Sequence, residues 1–402
     1  MSTNPIPKEL KSDHLFLLVG TNPLPDWVAT RLLLKNDGQL YLVHSDQTAE
    51  VATRLARYLM DQGCRQPAYV EVKSAYKASE VYNSILEKLK PIKSGSIGLN
   101  YTGGTKVMAV HGYRSIENES PPGLPPLVFS YLEAARCAMQ FEGDPRYPDG
   151  RDFRIGMVDE LRISLTDLFR LHENFLVEVA DKTVNAEPIA VLLAEVHSKK
   201  TGQEAWRSCV YKLPIKYPPS TGDPKKRVNQ IISEEELRSV RLTLYPQFTH
   251  IADALVENGS AGNTTFGEIV DNGKWGFSSA TELAEWLDGK WLEHYALLQF
   301  INHAEEYGVY DYGRNIKPAL KQTDFEADIG AIRGYQLHLI SCYSGSDKKE
   351  SKKKLFEVFT RVRQLGGDET RAAVVCCSDD PHKVRPPDIP PKFLGICAYF
   401  RT

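Results

Sequence analysis

Short apolar runs alternate with helix-spaced apolar positions through the first 145 residues. His14-Leu15-Phe16-Leu17-Leu18-Val19 is unbroken, as expected of a strand buried on both faces. Leu40-Tyr41-Leu42-Val43, Ala68-Tyr69-Val70-Glu71-Val72 and Ser96-Ile97-Gly98-Leu99 repeat the theme. Between them, Val28, Leu32 and Leu33 mark a helix from Asp26. Val51, Leu55 and Leu59 mark another over 50–61, and Val81, Ile85 and Leu89 a third. A fourth begins near Val107. Residues 127–132 and 137–141 read as a closing pair of strands around a turn. The order predicts a doubly wound α/β domain.

The last third has a different pattern. A helix from Thr281 continues through Glu293, which shares a face with Leu297, Phe300 and Ala304 at offsets of four, seven and eleven. Residues 324–332 read as a turn and strand, Arg333-Gly334-Tyr335 as a tight turn, and 336–343 as the returning strand. A lysine-rich helix follows, with Leu355, Val358, Phe359 and Val362 on its apolar side, and then a buried strand at 372–375. The middle is less regular. Residues 165–179 look helical, 212–224 form a proline-rich loop or hinge, and Lys225-Lys226-Arg227 reads as a solvated charge run. Ser233 heads a helix with an acidic first turn, and Phe248, Ile251, Leu255 and Val256 suggest another.

Composition narrows the classes. A chain of 402 residues, 42% apolar and 25% charged, has ample core for two or three domains. The net charge of −3 gives no global field for nucleic acid, so any such contact uses a local patch. No apolar run is long enough to span a bilayer, and the N-terminus lacks a signal-peptide pattern. The seven cysteines are scattered without a C-x-x-C, which points to reduced thiols in the cytoplasm and no structural zinc.

The stretch Asn100-Tyr101-Thr102-Gly103-Gly104-Thr105-Lys106 lies between a strand end and a helix start. Its glycines allow close backbone approach, the helix N-terminus offers free N–H groups, and Lys106 adds a charge. An anionic ligand and an ordinary tight turn are both open on spacing alone. Three loops share that carboxyl edge: residues 20–24, 44–46 and 102–106. Together, Val-Gly-Thr-Asn-Pro-Leu at 19–24 and Asn-Tyr-Thr-Gly-Gly-Thr-Lys at 100–106 resemble the CRISPR-associated Rossmann-fold (CARF) sensor domain. The resemblance implies binding of a cyclic oligoadenylate, most simply the tetra-adenylate, across a homodimer interface. It implies a pocket lined by Gly20, Thr21, Asn22, Leu24, Thr102, Gly103, Gly104, Thr105 and Lys106, with Ser45 nearby.

Helix, hairpin, helix and strand at 281–402 resemble the PD-(D/E)xK nuclease fold. The resemblance implies Mg²⁺ or Mn²⁺ on Glu293 and Asp328, with Glu326 as helper, activating water against a DNA or RNA phosphodiester. Ser341 and Tyr343 occupy the places of the acid and lysine of the next strand. Ser341 could orient a water. The lysine could come from the following helix, where Lys352 and Lys354 flank the apolar stripe and Lys353 faces solvent. The expected organisation is a sensor at 1–150, a linker and helical region at 151–280, and a nuclease-like domain at 281–402. The whole resembles single-sensor CRISPR ancillary nucleases. A decayed, ring-gated nucleic-acid-binding protein and a ring-degrading enzyme are the alternatives.

Overall fold

A computed structural model describes residues 5–143, 149–172, 180–216, 231–256, 261–317, 326–345 and 347–377. The first sheet has seven strands in the order β3-β2-β1-β4-β5-β6-β7. They are β1 Ser12–Leu18, β2 Leu34–Ser45, β3 Ala68–Val72, β4 Ile97–Asn100, β5 Val128–Glu133, β6 Ala138–Glu142 and β7 Arg151–Arg154. Pairings from β3 through β5 are parallel, and β6 and β7 add antiparallel. Four helices interleave: α1 Leu24–Leu33, α2 Ala49–Asp61, α3 Ala78–Leu89 and α4 Lys106–Glu119.

The unbroken apolar run of β1 now has its reason. Leu15, Leu17 and Val19 pack with Trp27, Val28 and Leu32 of α1 and with Leu55 and Leu59 of α2. Phe16 and Leu18 point the other way, to Val81 and Ile85 of α3 and Met108 and Ile116 of α4. A strand covered on both faces has no polar side to show. The strand order reverses direction between β1 and β4, so the loops leaving those two strands stand side by side at the switch point.

Helices fill the middle: α5 Leu165–Leu171, α6 Glu187–His197, α7 Lys200–Lys212, α8 Glu234–Arg238, α9 Thr249–Val256 and α10 Phe266–Asp271. The helix expected at 165–179 is seen as far as Leu171, and 173–179 lie outside the described residues. So do the tail of the proline-rich loop, from 217, and residues 225–227. The expected helix from Thr281 is two helices, α11 Ala280–Glu285 and α12 Trp291–His303, joined by a π turn at Trp286–Lys290.

The second sheet runs β11-β10-β9-β8, from β8 Val309–Ile316, β9 Ala327–Arg333, β10 Gln336–Tyr343 and β11 Arg371–Cys376. The β9–β10 hairpin turns at Gly334, at φ +61°. Its backbone lies so close to the Gly156 carbonyl that a side chain there would collide. Helix α13, Lys348–Gly366, lays Leu355, Val358 and Val362 on one face. That face shares its core with α5 and with α1 and α2 of the first sheet, so the two sheets are welded by one apolar cluster. The other face, with Ile329, Ile340, Cys342 and Val375, packs on α6, α7 and α12. The helices of residues 187–303 therefore build one wall of the second sheet.

Candidate functional site

At the switch point, backbone meets backbone. A Cβ on Gly20 would sit 3.3 Å from the Gly104 amide nitrogen and 3.4 Å from the Gly103 Cα. A Cβ on Gly103 would strike the Leu18 carbonyl oxygen and lie 2.8 Å from the Gly20 nitrogen. Gly104 has φ +72°, the left-handed region that favours glycine. Gly103→Ala is accordingly expected to destabilise the fold by about 2 kcal/mol, read as a lower urea midpoint at unchanged slope.

The hydroxyls of the second loop hold the loop itself. Thr102 Oγ1 donates to Asn100 Oδ1 at 2.7 Å and accepts from the Leu132 amide at 2.7 Å. Thr105 caps α4, accepting from the Met108 amide at 3.2 Å while donating to the Ala75 carbonyl at 2.9 Å. Among the described residues, the amides of Gly103, Gly104, Thr105 and Lys106 have no protein acceptor. Thr21, Gly104 and Lys106 are exposed beside them. What the cradle presents is backbone N–H, a helix N-terminus and one ammonium, which is chemistry for an anion.

Three expected lining residues have other work. Leu24 is fully buried in the core, so its side chain lines no surface. Ser45 is buried as the cap of the turn 46–48, its amide donating to Thr48 Oγ1 at 3.1 Å. Asn22 faces the second sheet: its Nδ2 donates to Glu369 Oε2 at 2.9 Å, and its Oδ1 lies 2.9 Å from His172 Nε2. Gly367, at φ +74°, leaves room for that amide.

The second cluster gathers on α12, β8, β9 and β10. Asp328 Oδ2 accepts from Ser341 Oγ at 3.0 Å and from the Cys342 amide at 2.5 Å, so the hairpin fixes one carboxylate oxygen. Glu293 is largely buried, with 14% of its side chain exposed. Burial, and then the negative charge of Asp328, push its carboxyl well above the usual range. Arg314 stands 3.9 Å away but is committed to Asp181 at 2.5 Å. Its Nε is buried without a partner among the described residues. Glu326 is exposed and pairs with Lys317 at 3.7 Å. Of the two expected lysines, Lys354 is half-buried and its charge acts on the Cys342 thiol. Lys352 is exposed on α13. Lys353, paired with Glu350 at 3.8 Å, faces solvent.

Sequence reading missed Arg314 and Asp181, whose strand and bridge carried no clear period. It also missed Lys290, whose spacing of three before Glu293 was a usable signal. Among the described residues no three His, Cys, Asp or Glu side chains gather as a metal cage. Two carboxylates, with Glu326 beyond, still fit a hard Mg²⁺-type ion, which takes one or two protein carboxylates and completes its shell with water and phosphate oxygens.

No known family's sequence profile matches the chain, and neither does any curated protein. Solved structures share its fold. Can2 from Sulfobacillus thermosulfidooxidans, in complex with cyclic tetra-adenylate, is 13% identical with a TM-score of 0.62, over 92% of this chain and 91% of that one. Protein VC1899 from Vibrio cholerae is 13% identical with a TM-score of 0.59, over 92% and 90%. A type III CRISPR defence DNA nuclease activated by cyclic oligoadenylate is 13% identical with a TM-score of 0.52. The match to it covers 94% of this chain and 47% of that one. The α/β architecture of both sheets, with the helices between them, is thus a known one.

Proposed function

We propose that the chain is a nuclease of type III CRISPR antiviral defence, switched on by a cyclic oligoadenylate, in the first instance the tetra-adenylate. One observation carries the reading: an anion cradle at the switch point of the first sheet and a pair of neighbouring carboxylates, the largely buried Glu293 of α12 and Asp328 of β9, share one polypeptide. Likeness in fold to Can2, solved with its ring, supports the ligand, and likeness to a ring-activated DNA nuclease supports the reaction. A symmetric ring suits the two-fold axis of a homodimer, each protomer giving one cradle to half the phosphates. The ring activates only by binding the active arrangement better than the resting one. The cell compartment proposed is the cytoplasm.

At the second site, Glu293 and Asp328 would hold Mg²⁺ or Mn²⁺, which supplies positive charge at the phosphoryl oxygens when bound. Ser341 and the Cys342 amide keep Asp328 oriented. Burial and the charge of Asp328 raise the Glu293 carboxyl, a repulsion that a bound cation would relieve. The substrate is a DNA or RNA phosphodiester. A second reading, ring-gated binding without cleavage, is favoured by Ser341 and Tyr343 standing where an acid and a lysine are expected.

The test has two arms. Calorimetry with cyclic tetra-adenylate should show binding that Lys106→Glu weakens about 30-fold, since a charged hydrogen bond is worth on the order of 2 kcal/mol. Supercoiled plasmid and a labelled RNA, each with Mn²⁺ and ring, should be cut by the wild type. Ring binding without cutting selects the second reading. No heat with the ring overturns both.

A further inference from the structure

We propose that Lys290 is the ammonium that meets the scissile phosphate at the Glu293–Asp328 site. The inference rests on the nuclease reading and supplies the cation that the strand lacks. Ser341 spends its hydroxyl hydrogen on Asp328. Tyr343 packs against the shared core, with its ring end against Gly345 and Arg207. Neither position offers a charge to a phosphate.

The cations around the carboxylates differ in what they can reach. Arg314 is buried, with 6% of its side chain exposed, and is bound to Asp181, so a nucleic-acid backbone cannot touch it. Lys354 is half-buried on α13, and its charge acts on the Cys342 thiol. Lys290 has 52% of its side chain exposed and faces both Glu293 and Glu326. Glu285 Oε2 holds its Nζ at 2.8 Å. An ammonium has three donors, so two remain for a phosphate. Burial opposes its charge, but the Glu285 bond and the carboxylates outweigh it, and the net effect raises its pKa, so it stays protonated.

Backbone explains how Lys290 arrives there. The chain kinks within Trp286–Lys290, where Gly289 leaves helical geometry, and the kink resets the helical phase between α11 and α12 just before Glu293. Gly289 permits it: a Cβ there would lie 2.6 Å from Ser344 Oγ, in the loop that leaves β10. The turn is pressed against the end of the catalytic strand, and Lys290 is carried to the mouth of the acid cluster, at the N-terminus of α12.

In the reaction, a water oxygen bonds to phosphorus as the bond to the leaving oxygen breaks. The water's proton passes to solvent, and the leaving oxygen takes one up. Lys290 gains and loses no proton. It donates hydrogen bonds to a non-bridging oxygen as charge builds there.

Plasmid nicking is measured with Mn²⁺ and cyclic tetra-adenylate for wild type, Lys290→Gln, Lys290→Arg and Lys354→Gln, alongside thermal unfolding. Lys290→Gln should lower kcat about 100-fold with KM changed less than fivefold. Lys290→Arg should recover about a tenth of the wild-type rate. In EDTA, where cutting stops, Lys290→Gln should also flatten the salt dependence of DNA binding by about one phosphate. The proposal is overturned if Lys290→Gln cuts within threefold of wild type, or if the loss falls on Lys354→Gln instead. It is equally overturned if Lys290→Arg shows no recovery while folding normally. If the wild type itself does not cut, the nuclease reading has failed, and that result appears before any variant is compared.

Discussion

Asp328→Asn should lower ring-stimulated cleavage about a thousandfold or more and leave ring binding within twofold. The asparagine oxygen can still accept from Ser341 Oγ and the Cys342 amide, so the hairpin keeps its shape. What disappears is one negative charge beside Glu293. That loss removes half of the carboxylate pair and brings the Glu293 carboxyl back toward its ordinary range, because Asp328 is the second largest cause of its elevation. Stability should therefore change little, or rise slightly, while activity collapses. A structural carboxylate would behave the other way, with stability lost and activity following it. Initial nicking rates and urea unfolding on the same samples separate the two. Cleavage within tenfold of wild type would remove Asp328 from the chemistry.

Elements set by local pattern were legible in the sequence. The β1 run, the α2 stripe and the 333–335 turn are found where the hydrophobic period puts them, because each is decided by neighbours within a dozen residues. The neighbourhood of Glu293 and Asp328 follows from the resemblance to the nuclease fold, since an apolar helix face and a hairpin strand do not by themselves bring two carboxylates together. The misses have long-range causes. Asn22 looked like a ligand residue from its place in the 19–24 motif, yet its partner Glu369 is 347 positions away. Leu24 looked like a pocket residue from its place in the motif, but the first turn of α1 drives it into the core. Lys290 had a readable spacing of three before Glu293, but the kink at Gly289 breaks the period that assigns faces. Strand β8 was unread because it carries Gly313 and Asn315, the latter at φ +57°, and has little apolar alternation.

The Asn22 contact carries the last consequence. Glu369 is 2% exposed, and its carboxyl is pushed up to about 7, first by burial, with Asp368 adding to the rise. Asn22 donates to it and Arg371 opposes the rise. The buried Asp26 of α1, raised by its own burial, also faces it, as do Cys137 and Tyr335. His172, against the far side of Asn22, is held down to about 4 and stays neutral there. An acid raised in the fold stabilises it fully below its unfolded pKa, near 4.5, and loses that contribution as pH climbs through 7. The shift corresponds to about 3 kcal/mol at such a buried group. Glu369→Gln keeps an acceptor for Asn22 but cannot ionise. Measured by urea unfolding, the variant should gain about 3 kcal/mol relative to wild type between pH 5 and pH 8, and the histidines cancel in that difference. Parallel curves would mean that Glu369 is solvated in the fold. The turn it occupies leads into β11, which pairs Val374 with Ser341 beside Asp328. Ionising Glu369 strengthens the Asn22 hydrogen bond but buries a charge where the loop after β1 meets the second sheet, and that burial is the cost that the pH dependence reads.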